Sequence, residues 1–235
     1  MLYFRGCVAR EKVKTISKST EAILIKSGIN FETISDEKCC GSVLLRTGFF
    51  EDAQEQMERN LEDLKGKKIL VSCSGCYKTF KNDYKEILGI ELDVIHTSQF
   101  FRDLIDENKL ILEKSKKSNK KLFKATYHDP CHLGRHSGEY EASREVLKKV
   151  CSLTEMEHIR ENARCCGSGG GVKSAYPEIA ETIAQERIKE AEKTGSTALV
   201  TSCPFCKLNL DQSDVLDVYD LSEFLIKILG ESKNE

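Results

Sequence analysis

The amino-acid sequence predicts an α/β fold built from two tandem halves of one plan. Three observations carry this. Apolar strand-like runs alternate with amphipathic helical runs, the pattern of parallel βαβ units. The cysteines recur twice in one order, Cys7, Cys39-Cys40, Cys73, Cys76 and then Cys131, Cys165-Cys166, Cys203, Cys206. Their flanks repeat with them, since "KKILVSCSGC" is answered by "STALVTSCPFC" and "LDVIHTSQFF" by "LDVYDLSEFL".

The elements follow in order. "LYFRG" reads as a strand, and residues 11–26 as a helix with Ile16, Ala22, Ile23 and Ile25 near one face. "FETIS" (31–35) is a short strand, and 50–64 a helix whose acids and amides face outward. "KILVS" is a buried strand, "CYKTFKNDYKEI" a helix, and "LDVI" a strand. "SQFFRDLI" is a helix with Ser98 as its cap. The second half repeats the plan with strand "KATYHD", helix 139–150, strand "TEMEHI" (154–159), helix 176–193 and strand "ALVTS". Strand "DVYD" and a final helix complete it.

Two Rossmann-like βαβ domains with parallel sheets, related by internal pseudo-symmetry, are therefore expected at 1–112 and 125–235. Residues 113–124, "EKSKKSNKKLFK", read as a solvated linker. Such units gather functional groups at the carboxyl ends of their strands, where Cys7, Cys73, Cys131 and Cys203 fall.

Composition narrows the function. The chain has 235 residues and a net charge of −2, so no basic surface argues for nucleic acid. No stretch reaches the roughly 20 apolar residues that span a bilayer, and "MLYFRGCVAREKVK" lacks the order of a signal peptide. A cytoplasmic protein without direct membrane insertion is expected, and the polar end "GESKNE" offers no anchor. Eleven cysteines in such a chain point to reduced thiolates around metal rather than to a disulfide framework.

Structural zinc needs four ligands, and a cubane 4Fe–4S cluster takes four thiolates. Each half offers five cysteines. The surplus thiol either does other work or ligates a larger, irregular cluster, and adjacent thiolates suit the second case. Glycine beside the pairs fits a bulky anionic cofactor that approaches the backbone, with Gly41, Gly167, Gly169 and Gly170, and Gly171 after them, as its expected lining. A phosphate loop is the rival for "GSGGG", but the stretch matches neither GxGxxG after a strand nor GxxxxGK[ST].

The order C, CCG, CxxC, occurring twice, resembles the cysteine-rich CCG domain of heterodisulfide reductase, found in its B-type catalytic subunit and in the catalytic part of its D-type counterpart. The domain also occurs in anaerobic glycerol-3-phosphate dehydrogenase and in lactate- and glycolate-oxidising complexes. The resemblance implies two noncubane 4Fe–4S clusters. One would be held by Cys7, Cys39, Cys40, Cys73 and Cys76, the other by Cys131, Cys165, Cys166, Cys203 and Cys206. It implies reductive cleavage of a disulfide of the CoM-S-S-CoB type, a methanogen's substrate, to two thiols. The alternative is an electron-transfer subunit of a lactate, glycolate or glycerol-3-phosphate dehydrogenase type of complex. Cys40 and Cys73 are separated by 32 residues, Cys166 and Cys203 by 36, and the first gap is shorter than the family's usual one. Zinc in the first half is the alternative there.

The chain has no CxxCxxCxxxCP ferredoxin run, so electrons are expected from a ferredoxin-like iron–sulfur subunit, the C-type partner in the reductases, with a flavoprotein subunit as a further partner. "YHDPCHLGRH" surrounds Cys131 with His128, His132 and His136, and His132 is the candidate proton donor. Arg135 suits an anionic substrate or an ordinary ion pair, Asp129-Pro130 sets the turn before Cys131, and Cys151 reads as a buried small hydrophobe.

Overall fold

In the computed structural model of the protein, the described residues are 1–112 and 123–231. Residues 113–122 of the expected linker, and the last four residues, lie outside them.

The first half runs β1 (Leu2–Phe4), α1 (Cys7–Glu11), α2 (Lys14–Lys26), α3 (Ser42–Arg46), α4 (Phe50–Leu64) and β2 (Lys68–Val71). It continues with α5 (Ser74–Lys78), a π turn (Thr79–Asp83), α6 (Tyr84–Leu88), β3 (Asp93–His96) and α7 (Thr97–Asp106). Its sheet is parallel, in the order β1-β2-β3. The second half runs β4 (Lys124–His128), α8 (Ala142–Val150), β5 (Ser152–Leu153), a 3-10 turn (Arg160–Asn162) and α9 (Val172–Ala175). It ends with α10 (Pro177–Glu192), β6 (Ala198–Thr201), α11 (Pro204–Leu210), β7 (Asp217–Asp220) and α12 (Leu221–Glu231). Its sheet is again parallel, in the order β5-β4-β6-β7. Thus β1, β2 and β3 answer β4, β6 and β7. The central strands β2 and β6 are apolar without alternation because helices cover both faces, and Ile69, Leu70 and Val71 are wholly buried.

Several boundaries differ from the sequence expectation, each for a local reason. "FETIS" shrinks to one parallel bridge, Leu2 to Glu32, where Tyr3 N donates to Glu32 O at 2.8 Å and Glu32 N to Met1 O at 3.0 Å. The strand expected at 154–159 lies upstream as β5, since Cys151 ends α8 and the chain runs straight into pairing with Lys124. Helix α8 starts at Ala142, where Glu139 Oε1 accepts the amides of Glu141 and Ala142 at 3.0 and 2.9 Å. On α2 the buried stripe is Ile16, Thr20, Ile23 and Leu24, while Ile25 is 69% exposed. Ile25 lies about 200° around the helix from Ile23.

Ser98 is not the cap of α7. His96 is, with Nδ1 accepting from Ser98 N at 3.2 Å while Gln99 Oε1 accepts from His96 N. The second half builds the same device from Asp220, whose Oδ1 accepts from Ser222 N at 2.9 Å while Glu223 accepts from Asp220 N. A histidine thus does at one place the capping job that an aspartate, a preferred cap, does at the matching one. The shorter first gap also has a location. The missing residues are spread over the loop before α4, α4 itself and the turn after it, all slightly shorter than their counterparts around α10.

The halves interlock. α2 packs on α12 and α7 on α8, and one hydrophobic cluster joins Ile23, Phe101 and Leu104 to Tyr127, Val146 and Phe224. A second joins Leu2, Phe4 and Val71 to Leu133, Leu199 and Leu210. Between them Ser74 Oγ donates to Ser202 O at 2.7 Å, so the carboxyl ends of β2 and β6 abut.

Candidate metal centre

Each CxxC begins where a strand hands over to a helix. Cys73 and Cys203 are the extended N-cap residues of α5 and α11, and Cys76 and Cys206 follow one turn on, which turns both sulfurs of each motif to one side. Cys7 opens α1 directly after β1, and Cys131 lies in the turn after β4. That turn is pinned. Asp129 pairs with the guanidinium of the fully buried Arg144 at 2.6 and 2.8 Å and accepts Arg160 N at 2.9 Å. The pairs Cys39-Cys40 and Cys165-Cys166 arrive on the loops ahead of α3 and α9.

None of the eleven cysteines is in a disulfide. Hydrogen bonds link their sulfurs in a continuous run, Cys7 to Cys39 to Cys40 to Cys76 to Cys73 in the first half. Cys73 meets Cys203, and the run continues to Cys206, Cys166 and Cys165. Cys131 stands beside Cys166 and Cys203. The two sets therefore meet across the halves at the two CxxC motifs. Crowding splits their ionisation. Hydrogen bonds from Cys40 and Cys7 drive Cys39 down to about 2, and those two thiols are pushed up in return. Cys203, bonded by Cys206 and Cys73, and Cys166, bonded by Cys165 and Cys206, sit well below the ordinary thiol range. Burial pushes Cys131 up to about 11. Shared protons hold such a cluster of sulfurs together, and a metal replaces them.

Nine of these cysteines line one cavity of about 430 Å³ between the halves, and the exposed Cys165 stands outside it. Val8, Val43, Phe205 and Leu208 supply apolar wall, and Gly169, Gly170 and Gly171 leave one side without side chains. Lys12, Arg46 and Lys173 are the charged residues among the described lining, and no described carboxylate joins them. These cations were not singled out from the sequence. Arg46 and Lys173 lie on the short helices after the two pairs, a correspondence the duplicated register carries.

Gly41 and Gly167 have a different task from the glycine wall. Both turn the chain at positive φ, +92° and +83°. A Cβ on Gly41 would lie 3.1 Å from Met57 Cγ, and one on Gly167 would lie 2.4 Å from Ala180 O. Each lets α4 or α10 press against the loop that carries its cysteine pair.

His132 lines the cavity, and burial lowers its pKa below the usual imidazole value. His136 lies beside it, ring centroids 5.2 Å apart and the rings tilted by 42°, outside the cavity lining. Arg135 donates to Ala163 O at 2.6 Å and to Glu161 O at 3.2 Å, clamping the Cys131 turn to the approach of Cys165. Its guanidinium is thus engaged by backbone carbonyls. Cys151 is buried at the end of α8 and donates to Leu147 O. His128 is buried behind the cysteines, with Nδ1 accepting from Arg187 Nε at 3.1 Å.

The donor set suits a soft metal centre, since its ligand atoms are sulfur and no described carboxylate competes in the cavity. Backbone amides also reach the sulfurs. Gly167 N donates to Cys165 Sγ at 3.3 Å, and Gly41 and Val43 donate to Cys39, as an anionic iron–sulfur cluster requires. Five thiols in each half exceed one tetrahedral ion, so the residues fit a cluster in each.

Two parallel α/β halves, each presenting thiols at its strand ends to a shared cavity, define a duplicated cysteine-rich metal-binding protein. The chain belongs to the cysteine-rich CCG domain family, which matches residues 1–81 and 125–211. It is 41% identical over 99% of its length to the D subunit of the dihydromethanophenazine:CoB–CoM heterodisulfide reductase of Methanosarcina mazei, and covers 58% of that protein. It is 35% identical over 90% of its length to the B subunit of the fumarate reductase (CoM/CoB) of Methanothermobacter marburgensis, covering 41% of it. It is 31% identical over 97% of its length to an EtfAB:quinone oxidoreductase of Syntrophomonas wolfei, covering 34% of it. The chain thus spans little more than half of the heterodisulfide reductase relative, and these relatives are oxidoreductases by name. Among the described residues no helix is long and apolar enough to cross a membrane.

Proposed function

We propose that this chain is the iron–sulfur catalytic part of a heterodisulfide-reductase-like complex, cleaving a disulfide of the CoM-S-S-CoB type to two thiols. The observation that carries the reading is the meeting of the two cysteine sets at one cavity, nine of their ten members lining it, with Cys73 against Cys203. Cys7, Cys39, Cys40, Cys73 and Cys76 would hold one noncubane 4Fe–4S cluster, and Cys131, Cys165, Cys166, Cys203 and Cys206 the other. When bound, the clusters would supply the two electrons that one S–S bond accepts. Two protons complete the two thiols, and His132 is assigned to hold one at the cavity wall. Val8, Val43, Phe205 and Leu208 exclude water around the sulfurs, while Lys12, Arg46 and Lys173 orient a substrate with anionic ends. Electrons enter from a ferredoxin-like iron–sulfur subunit.

Similarity to the EtfAB:quinone oxidoreductase favours a second reading, an electron carrier to or from a flavoprotein. One experiment separates the two. The protein is purified without oxygen, its iron, sulfide and zinc are counted, and low-temperature EPR is recorded on oxidation with and without coenzyme M. About eight irons and a signal that needs the thiol are expected. About four irons with one zinc and no thiol-dependent signal would defeat the catalytic reading.

The cationic wall carries its own expectation. Lys12→Gln with Lys173→Gln should raise KM for an anionic disulfide about tenfold, with kcat little changed. A neutral disulfide should be unaffected, and steady-state kinetics on both substrates is the check.

A further inference from the structure

The two cysteine sets are copies, yet one buried neighbour differs between them. His128 closes β4 three residues before Cys131, and the matching place before Cys7 is Phe4. Phe4 packs edge-on against Phe80, ring centroids 4.9 Å apart, and offers no polar side-chain atom. His128 is 1% exposed, and a ring nitrogen lies within 4.8 Å of both Cys166 Sγ and Cys206 Sγ. Beside two cysteine sulfurs a histidine reads first as a metal ligand.

The partner of Nδ1 argues against that, and leaves Nε2 as the nitrogen free to meet the sulfurs. A ligating histidine donates its second ring N–H to a carboxylate, a carbonyl or water. Here Nδ1 faces Arg187 Nε at 3.1 Å, and a guanidinium can only donate. Nδ1 is therefore the acceptor, and the single proton of the neutral ring resides on Nε2. A protonated nitrogen cannot bind metal, but it donates to sulfur. Arg187 is held in this role. It is fully buried, its Nη1 donates to His158 O at 2.9 Å and Glu190 Oε2 at 2.8 Å, and Glu190 is fixed in turn by His158 N at 2.6 Å.

We propose that His128, its tautomer set by Arg187, is a fixed N–H donor to Cys166 Sγ that raises the reduction potential of the second-half cluster. An N–H···S bond withdraws charge from the thiolate and so favours the more negative, reduced cluster. Phe4 gives the first set no such side-chain donor, so removing the imidazole lowers the potential of the second set and leaves that of the first in place. This rests on the reading that both sets hold iron–sulfur clusters.

The test uses the full chain with both clusters loaded, followed by potentiometric titration and by pulsed EPR on protein labelled with 15N-histidine. The wild type should show two potentials and a weak 15N coupling of hydrogen-bonded size. His128→Phe, which copies the first half, should keep its iron, lower one potential, leave the other in place and lose the coupling. A strong coupling of directly bound nitrogen would overturn the proposal, and the labelled wild type gives that result even if the variant fails to fold. Unmoved potentials in an iron-replete His128→Phe, or loss of one cluster's iron from it, would overturn it too. A wild type without iron in both sets would overturn the cluster assignment itself, a result distinct from these.

Discussion

Changing Cys73 and Cys76 together to alanine is expected to remove about half of the iron and all disulfide reduction, and to leave the second cysteine set loaded. The two cysteines supply the CxxC of the first set, and Cys73 is also its contact with Cys203. Activity should fall by more than the halved iron content, because one disulfide needs two electrons. Iron analysis, with EPR of the remaining cluster, measures the first effect, and turnover with a reduced donor the second. A double variant that keeps about half its activity would mean that each set works alone. Stability should drop as well, since metal bound only by the folded chain adds to its folding free energy.

Gly167→Ala should destabilise the protein by about 4 kcal/mol, because a left-handed residue and a backbone clash add together. The added methyl would lie 2.4 Å from Ala180 O and 3.1 Å from Asn209 Nδ2, on a residue at φ +83°. Asn209 already bonds Cys166 O at 2.6 Å and Ala180 O at 3.1 Å, so it cannot retreat without releasing the cysteine loop. Gly170→Ala is the control. Its φ is +62°, but nothing lies within 4 Å of the new methyl, so the cost is that of the backbone alone, about 1 kcal/mol. Urea midpoints of the two variants, measured without oxygen, should differ accordingly. Equal midpoints would mean that α10 does not press on the loop.

These glycines show where sequence reasoning stops. The run after Cys166 reads as one bare stretch serving one purpose, and the structure divides it. Gly169 to Gly171 form the open cavity wall, whereas Gly167 lies beneath α10 because its Cβ position is filled by a carbonyl thirteen residues away. Spacing along the chain carries no trace of that approach. The cap of α7 teaches the same lesson at short range. Ser98 is the better capping residue by type, yet His96 holds the position, and only the repeat with Asp220 reveals that the two places do the same work. Helix α4, by contrast, spans 50–64 as its apolar period predicts, because one face of a helix is written in its own residues.

The sequence alone determined the α/β alternation, the duplication, and the placing of Cys7, Cys73, Cys131 and Cys203 at strand ends. Each is a property of local period or of a fixed interval, and survives without knowledge of the packing. Tertiary structure decided that Cys73 meets Cys203, that Lys12, Arg46 and Lys173 converge on one cavity, and that Arg187 reaches His128 from 59 residues away. Those contacts depend on how two twisted sheets and their covering helices close against each other. Their geometry is set by the whole packed core and not by any single segment.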